Sequence, residues 1–210
     1  MVAPLWIGGR FRRPRVETPD RVPHAPAGAS PAPDTGRAEP AYLDIRVSRG
    51  AGIGPTRLAA FDAALQAAGL AGYNIVRLSS VIPPNAVVRE VAGADLDLGA
   101  PGDVAYCVYA AAYASNPGDQ AWAGMAWADH LDASGAGLFV EHTAASESRV
   151  LRDLIATLEA MSISRGHAYQ LAGQIVSSAI CVDHPVCAIV VATYGTAGWN
   201  RLVDLKGPRS

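Results

Sequence analysis

The chain has 210 residues, of which half are apolar and 17% are charged, a size and composition that suit one compact domain. Its 17 Lys and Arg residues against 19 Asp and Glu residues give a formal net charge of −2. Without a basic excess for binding a phosphate backbone, no nucleic-acid partner is expected. The longest apolar stretches are far shorter than the roughly 20 residues of a membrane-spanning helix, so we expect a soluble, cytoplasmic protein with no membrane partner.

The cysteines and lysines narrow the possible chemistry. Cys107, Cys181 and Cys187 are an odd number with neither a CxxC pair nor zinc-ligand spacing, which argues against a disulfide scaffold and a structural zinc site. The single lysine, Lys206, lies near the C-terminus. Pyridoxal phosphate needs a buried lysine, and a P-loop needs one after its glycines. We therefore expect neither pyridoxal phosphate nor a metal.

The first 40 residues differ in composition from the rest. They carry eight of the 15 prolines and a cluster of arginines, with almost no apolar periodicity. Such a composition predicts a disordered Pro/Arg-rich extension over residues 1–40. Residues 41–210 are then the single folded domain.

Short apolar runs bounded by glycine, proline and aspartate begin at residue 41 and indicate strands. The first predicted strand covers residues 42–48, and residues 50–54 are interpreted as a glycine-rich turn. A helix follows, with Thr56 as its N-cap and Gly69 as its end. Helical spacing places four residues on its buried face: Leu58, Phe61, Leu65 and Ala68.

A second strand is predicted over residues 74–80, and Pro83 and Pro84 end it because proline cannot donate to a sheet ladder. A second helix is predicted over residues 145–164 by its apolar periodicity. The remaining strands are predicted over residues 104–115, 121–130, 137–142, 169–181 and 186–194. Several strands with one early and one late helix favour a layered α+β domain.

Four polar residues have ordinary structural interpretations. Asp62 lies on or beside the buried face of the first helix. It is interpreted as a carboxylate that flanks the core and is solvated or hydrogen-bonded. His130, His142 and His184 stand near strand ends. They are interpreted as loop or edge residues rather than metal ligands.

Ser79 and Ser80, at the end of the second strand, suggest a particular reaction. A serine hydroxyl can attack the carbonyl of the preceding residue and turn the amide into an ester when the peptide is held in a strained conformation. β-Elimination then cleaves the chain and leaves dehydroalanine, which hydrolyses to a pyruvoyl group with loss of ammonia. This ketone acts as an electron sink without a lysine or a bound cofactor.

With these serines and the motifs given below, the sequence resembles the pyruvoyl-dependent arginine decarboxylases. The resemblance covers about residues 43–194, and its second motif is the most specific. The motifs are Leu58-x-x-Phe61-Asp62-x-x-Leu65-x-x-x-Gly69, Asn74-x-x-Arg77-x-Ser79-Ser80-x-x-Pro83-Pro84, Gly137-Leu-Phe-Val-Glu141 and, more weakly, His184-Pro-Val-Cys-Ala188.

The resemblance implies cleavage between Ser79 and Ser80, with a covalent pyruvoyl group derived from Ser80. The amine of a small-molecule amino acid substrate would form a Schiff base with that group and lose carbon dioxide. Arginine would give agmatine, a step of polyamine biosynthesis. Glu141 matches the family's proton donor to the decarboxylated carbon, a task for a carboxylic acid.

The resemblance also assigns a pocket, a fold and an assembly. Asn74 matches a residue that lines the pyruvoyl pocket, and Asp62 and Leu65 match substrate-pocket positions, where a carboxylate would pair with a guanidinium. The family fold is a four-layer αββα sandwich. It assembles as a homotrimer or as a hexamer of two trimers, with active sites between subunits.

Alternatives remain open from the residues themselves. The stretch from Arg49 to Gly54 lacks the serines and the glutamate that many family members carry before the first helix, so a decarboxylase of a different amino acid is one alternative. The second alternative is a non-processing, inactive relative that acts as a structural or regulatory subunit, and the third is a plain α+β binding domain.

His142 is a further departure from the family pattern, since it stands where members often have an aromatic residue.

Overall fold

The structure is a computed structural model, and it describes residues 42–93, 99–132 and 134–199. The extension predicted over residues 1–40 lies outside the described residues. In chain order the elements are β1 (Asp44–Ile53), α1 (Arg57–Ala67), β2 (Asn74–Arg77), β3 (Val81–Ile82), β4 (Val87–Glu90), β5 (Val104–Ala114), β6 (Gln120–His130), β7 (Gly137–Ala144), α2 (Glu147–Arg165), β8 (Tyr169–Ile180) and β9 (Val186–Ala197).

The strands form two sheets. The five-stranded sheet has the order β2-β5-β9-β1-β4, and the four-stranded sheet has the order β3-β7-β6-β8. In the five-stranded sheet β1 pairs with β4 and β2 with β5 in parallel, whereas β9 is antiparallel to both β1 and β5. The described pairs of the four-stranded sheet are all antiparallel. One mixed sheet, one antiparallel sheet and the two helices of the described residues make this an α+β fold, as the sequence predicts.

Residues 186–192 of strand β9 are buried on both faces of the sheet, which explains their unbroken apolar sequence. Val186, Ala188, Val190 and Ala192 belong to the cluster that the two sheets form between them. Cys187, Ile189 and Val191 alternate with them and pack in a second cluster with α1. Helix α2 buries Val150, Leu154 and Leu158, and Leu154 and Leu158 pack against β6 and β7. Helix α1 thus lies on the face of the five-stranded sheet that is turned away from the four-stranded sheet.

Residues 50–53 continue strand β1, so the turn predicted over residues 50–54 is wrong for most of its length. The glycines there serve close packing. A Cβ at Gly50 would lie 2.1 Å from the Ala64 carbonyl oxygen, and one at Gly52 would lie 2.4 Å from the Ala60 carbonyl oxygen. Only glycine lets the α1 backbone approach the strand so closely.

The ends of α1 agree with the sequence prediction, but its buried face differs from the predicted one. The Thr56 hydroxyl accepts from the Ala59 N–H at 3.1 Å as predicted for an N-cap, and Gly69 follows the helix with φ of +83°. Leu58 is 76% exposed, so its predicted burial is wrong. Small residues, Ala60 and Ala64, face the sheet instead because the helix lies against glycines.

Three strand predictions need correction. The strand predicted over residues 74–80 ends at Arg77, and the chain then enters the other sheet as β3. Strand β4, after the two prolines, has no counterpart in the sequence prediction, and it pairs with β1. Strand β9 extends to Ala197, beyond the predicted end at residue 194. Within the described chain, neither helix is long and apolar enough to cross a membrane.

Candidate functional site

Residues 78–80 carry the chain from one sheet to the other. The Leu78 N–H still donates to the Cys107 carbonyl oxygen at 2.9 Å, which extends the pairing of β2 with β5. Three residues later, Val81 pairs with Leu138 of β7 in the four-stranded sheet. Because β2 and β3 are both edge strands, the Ser79–Ser80 peptide spans the gap between two sheet edges.

Ser80 adopts a left-handed backbone conformation with φ of +65°. This region is unfavourable for a residue with a Cβ, and strain of this kind persists only where neighbouring contacts enforce it. Two such contacts are present. The Ser80 carbonyl oxygen accepts from the Phe139 N–H at 2.8 Å, and the Val81–Leu138 pairing fixes the next residue. The strain therefore lies on the residue that the sequence singles out for self-cleavage.

The Ser80 hydroxyl donates to Glu141 Oε1 at 2.5 Å. Glu141 lies on β7 two residues after Phe139, so the two side chains share the face that Phe139 turns into the cluster between the sheets. Both Ser80 and Glu141 are half-buried, while Ser79 is exposed. A short hydrogen bond from a hydroxyl to a carboxylate is charge-assisted, and it makes Glu141 a base within reach of the hydroxyl proton.

Tyr194 is the third side chain at this position, and the sequence predictions miss it. Its hydroxyl donates to the Val81 carbonyl oxygen at 2.9 Å, and its ring meets the Phe139 ring edge-on with centroids 6.1 Å apart. Burial, together with the negative charge of Glu141, raises the pKa of Tyr194 above its usual value. The hydroxyl therefore stays protonated and acts as a donor.

Tyr194 lies where the pairing of β9 with β5 changes register. Gly195 pairs with Tyr106, but Thr193 pairs with Cys107, so Tyr194 is the extra residue of β9. Its side chain packs against the cluster between the two sheets, as the alternate residues of β9 before it do. This two-residue alternation along the apolar run is the signal in the sequence that points to Tyr194.

His142, the residue after Glu141 on β7, points away from Glu141. Its Nε2 lies 2.7 Å from the Thr157 hydroxyl on α2. Neighbouring residues of a strand face opposite sides of the sheet. His142 therefore packs toward α2 while Glu141 faces Ser80.

The two predicted substrate-pocket residues lie away from the Ser80–Glu141 pair of the same chain. Asp62 and Leu65 are on α1; Asp62 is exposed, and Leu65 is 8% exposed within the cluster between α1 and the five-stranded sheet. This helix covers the side of that sheet that faces away from β3 and β7. Within one chain, the structure does not bring Asp62 to the Ser80–Glu141 pair.

Asn74 also lies apart from its own Ser80. It begins β2, and its Nδ2 donates to the Gly102 carbonyl oxygen at 2.7 Å. An extended strand rises about 3.3 Å per residue, so Asn74 is at the end of β2 opposite to Ser79. Of the predicted site residues, one chain therefore joins Ser79, Ser80 and Glu141, and it leaves Asn74, Asp62 and Leu65 at other places.

A model of the pyruvoyl-dependent arginine decarboxylase family matches residues 44–197. A protein of that name from Halobacterium salinarum is 46% identical over 97 residues, covering 46% of this chain and 58% of the relative. The match thus spans less than two thirds of that relative's length. One from Methanococcoides burtonii is 32% identical over 123 residues, covering 56% of this chain and 67% of the relative.

One further relative and one solved structure are less similar to this chain. A pyruvoyl-dependent arginine decarboxylase from Thermoplasma volcanium is 28% identical over 170 residues, covering 71% of this chain and 92% of the relative. A solved structure of pyruvoyl-dependent histidine decarboxylase at pH 8 is similar with a TM-score of 0.35 and 18% identity. That likeness covers 48% of this chain and 54% of the other.

Proposed function

The chain belongs to the pyruvoyl-dependent arginine decarboxylase family, and from this we propose that it cleaves itself between Ser79 and Ser80 and decarboxylates arginine to agmatine. The observation that carries the proposal is the 2.5 Å hydrogen bond from the Ser80 hydroxyl to Glu141, on a residue held at φ of +65°. A nucleophile, a base and a strained peptide meet there, as self-cleavage at a serine requires.

The proposed cleavage uses only groups of this chain and water. Glu141 takes the hydroxyl proton while Ser80 Oγ bonds to the Ser79 carbonyl carbon; the peptide C–N bond breaks, and the released nitrogen takes up a proton. Loss of the Ser80 Cα proton then breaks the Cβ–O bond of the ester, freeing the Ser79 carboxylate and leaving dehydroalanine at residue 80. Tautomerisation to an imine, addition of water and loss of ammonia convert dehydroalanine into the pyruvoyl group.

The residues around Ser80 fit a pyruvoyl group at that position. The Phe139 N–H and the Tyr194 hydroxyl hold the carbonyl oxygens of residues 80 and 81. Both carbonyls lie on the C-terminal side of the cut, so both hydrogen bonds can persist after it. The group, once formed, supplies a ketone that takes up electron density as carbon dioxide leaves. Phe139 and Tyr194 orient the new N-terminus, and the chemistry needs neither a metal nor pyridoxal phosphate.

Glu141 has a second proposed task after cleavage. When residue 80 no longer has a hydroxyl, this carboxyl group has lost its hydrogen-bond donor and remains beside the reacting position. In its protonated form it can deliver a proton to the decarboxylated carbon. The same residue then serves as base in processing and as acid in turnover.

The complete pocket is proposed to form between subunits. Asp62 and Asn74 lie away from the Ser80 of their own chain, so they can line a pocket only at the Ser80 of another copy. A homotrimer, or a hexamer of two trimers, would provide this arrangement. With one helix on the outer side of each sheet, we also propose that the whole fold is the four-layer αββα sandwich.

The decisive experiment is the intact mass of the purified protein under denaturing conditions, with and without a hydrazine reagent. We expect fragments of residues 1–79 and 80–210, of which only the larger reacts through its carbonyl. Ser80→Ala should remain one chain, and Ser79→Ala, the matched control, should still be cut because its carbonyl is unchanged. Cleavage of Ser80→Ala at this bond would contradict the mechanism.

Substrate identity needs a separate measurement on the cut protein. Carbon dioxide release from arginine, lysine and ornithine at equal concentrations compares three basic amino acids of different length and head group. We expect arginine to be preferred, since a carboxylate such as Asp62 can pair with a guanidinium through two parallel hydrogen bonds. An uncut chain without activity would instead indicate the structural or regulatory subunit.

A further inference from the structure

Two histidines and one aspartate from two parts of the chain meet at one end of the four-stranded sheet. His130 ends β6, Asp132 lies in the turn that leads to β7, and His167 lies between α2 and β8. One potential ligand atom from each lies within 4.8 Å of the other two. The centroids of the His130 and His167 imidazole rings are 4.5 Å apart. None of these residues takes part in the proposed decarboxylation.

Neighbouring residues hold two of the three potential ligands, Asp132 and His130, in place. Asp132 Oδ1 accepts from the Ser134 N–H at 3.1 Å and also from the Ser134 hydroxyl, which leaves Oδ2 facing His130 Nδ1 at 3.1 Å. On the other side of the ring, His130 Nε2 lies 3.1 Å from the Tyr169 hydroxyl. Hydrogen bonds that orient a histidine and a carboxylate from behind are typical of metal sites.

Hydrogen bonds fix the two segments that carry these residues relative to each other. The His130 N–H donates to the Ala136 carbonyl oxygen at 2.8 Å, and the Leu131 N–H donates to the Ala168 carbonyl oxygen at 3.0 Å. The Ser162 hydroxyl donates to the His167 carbonyl oxygen at 2.6 Å. The ligands are therefore close together before any ion arrives, which lowers the cost of ordering them on binding.

We propose that His130, Asp132 and His167 bind a divalent transition-metal ion of the zinc class. Two ligands bound to tetrahedral zinc at about 2.0–2.1 Å lie about 3.3 Å apart, close to the 3.1 Å between His130 Nδ1 and Asp132 Oδ2. The potential ligand atom of the exposed His167 lies within 4.8 Å of the other two, so its side chain would have to move closer when an ion binds. Imidazole and carboxylate together favour zinc over magnesium or calcium, which prefer oxygen ligands.

The Tyr169 hydroxyl suits both the empty and the bound state. Without metal, His130 can donate from Nδ1 to Asp132 while Tyr169 donates to Nε2. With metal on Nδ1, the proton resides on Nε2, and the Tyr169 oxygen accepts it, since a phenol oxygen both donates and accepts. The bound ion would join the β6–β7 turn to the α2–β8 connection and stabilise the folded chain.

The test uses untagged, full-length protein that has been treated with EDTA and dialysed. Titration with Zn²⁺ alone in a calorimeter should give one ion per chain, and Mg²⁺ should give no comparable heat. Excess Zn²⁺ should raise the melting temperature by about 5 °C or more. Absence of a one-to-one Zn²⁺ site would overturn the proposal.

Four variants separate this site from nonspecific histidine binding. His167→Ala and Asp132→Asn change exposed side chains and should each weaken Zn²⁺ binding about 100-fold or more; Tyr169→Phe should weaken it about 10- to 100-fold. His184→Ala, which removes an exposed histidine outside the cluster, should bind as the parent does. Unchanged binding by His167→Ala, or lost binding by His184→Ala, would contradict the assignment. Cleavage between Ser79 and Ser80 should be the same in all four variants.

Discussion

Ser80 and Glu141, 61 positions apart in sequence, are joined by a 2.5 Å hydrogen bond from the Ser80 hydroxyl to the Glu141 carboxylate. Two separate features bring them together. The pairing of Val81 with Leu138 sets the register of the Ser80 segment on β7, and the pleat of β7 turns Glu141 to the same face as Phe139. The register therefore positions both the strained peptide and its neighbouring carboxylate.

Glu141→Gln should separate the two proposed tasks of this residue. The glutamine amide oxygen can still accept from the Ser80 hydroxyl, so the chain should be cut, more slowly than the parent. An amide cannot donate a proton as an acid, and the turnover number should fall by about 10²- to 10⁴-fold. Intact mass followed by carbon dioxide release on the cut protein measures both effects. Glu147→Gln, an exposed position at the start of α2, is the control, and an undiminished rate in Glu141→Gln would remove this residue from the mechanism.

Tyr194→Phe should weaken the hold on the segment after the cleavage site. The ring remains against Phe139, but the Val81 carbonyl oxygen loses its donor, at a cost of about 1–3 kcal/mol in the free energy of unfolding. Cleavage should also slow, because one of the contacts around Ser80 is gone. Urea denaturation of the uncut Ser80→Ala background, with and without Tyr194→Phe, measures stability without mixing cut and uncut chains.

A time course of fragment formation in the background with an intact Ser80 measures the second effect. Tyr42→Phe is the matched control, since Tyr42 is 55% exposed and lies before β1. We expect this control to keep the parent's stability and cleavage rate. Equal cleavage rates in Tyr194→Phe and the parent would show that the hydroxyl does not position Ser80.

Gly50→Ala should destabilise the fold, because the new Cβ would lie 2.1 Å from the Ala64 carbonyl oxygen. Strand β1 and helix α1 would have to separate, and overpacking of this kind costs about 1–3 kcal/mol or more. Gly195→Ala is the matched control on β9, since nothing lies within 4 Å of its Cβ. The urea midpoint of the uncut chain reports the difference, and equal midpoints for the two variants would contradict the packing described for Gly50.

The sequence predicts the features of this chain that depend on local pattern. Thr56 and Gly69 mark the ends of α1 correctly, and the motif around Ser79 and Ser80 marks the peptide that the structure holds in a strained conformation. The sequence wrongly predicts a turn at the glycines of β1, because a glycine-rich run fits both a turn and a strand packed closely against a helix. Only the tertiary contact with α1 distinguishes the two.

Features that depend on long-range register could not be predicted. The pairing of β9 with β5 has one extra residue at Tyr194, and no local pattern in the sequence encodes this change of register. Strand β4 is four residues long and largely exposed, and it forms only because β1 offers it an edge. The resemblance to a family supplied Asp62 and Asn74 as site residues, but it could not place them relative to Ser80 within one chain.

Asp62→Asn tests whether this exposed carboxylate of α1 binds the substrate. Removing the charge should leave cleavage complete, because Asp62 lies away from the Ser80 of its own chain. If Asp62 of a neighbouring copy pairs with the substrate guanidinium, the KM for arginine should rise about 10- to 100-fold, the loss expected for a hydrogen bond between charged groups. The turnover number should change less, since the contact is remote from the carbon that loses carbon dioxide. Glu159→Gln, an exposed acid on α2, is the control for a general change of charge. If the KM for arginine in Asp62→Asn stays equal to the parent's, Asp62 does not bind the substrate guanidinium.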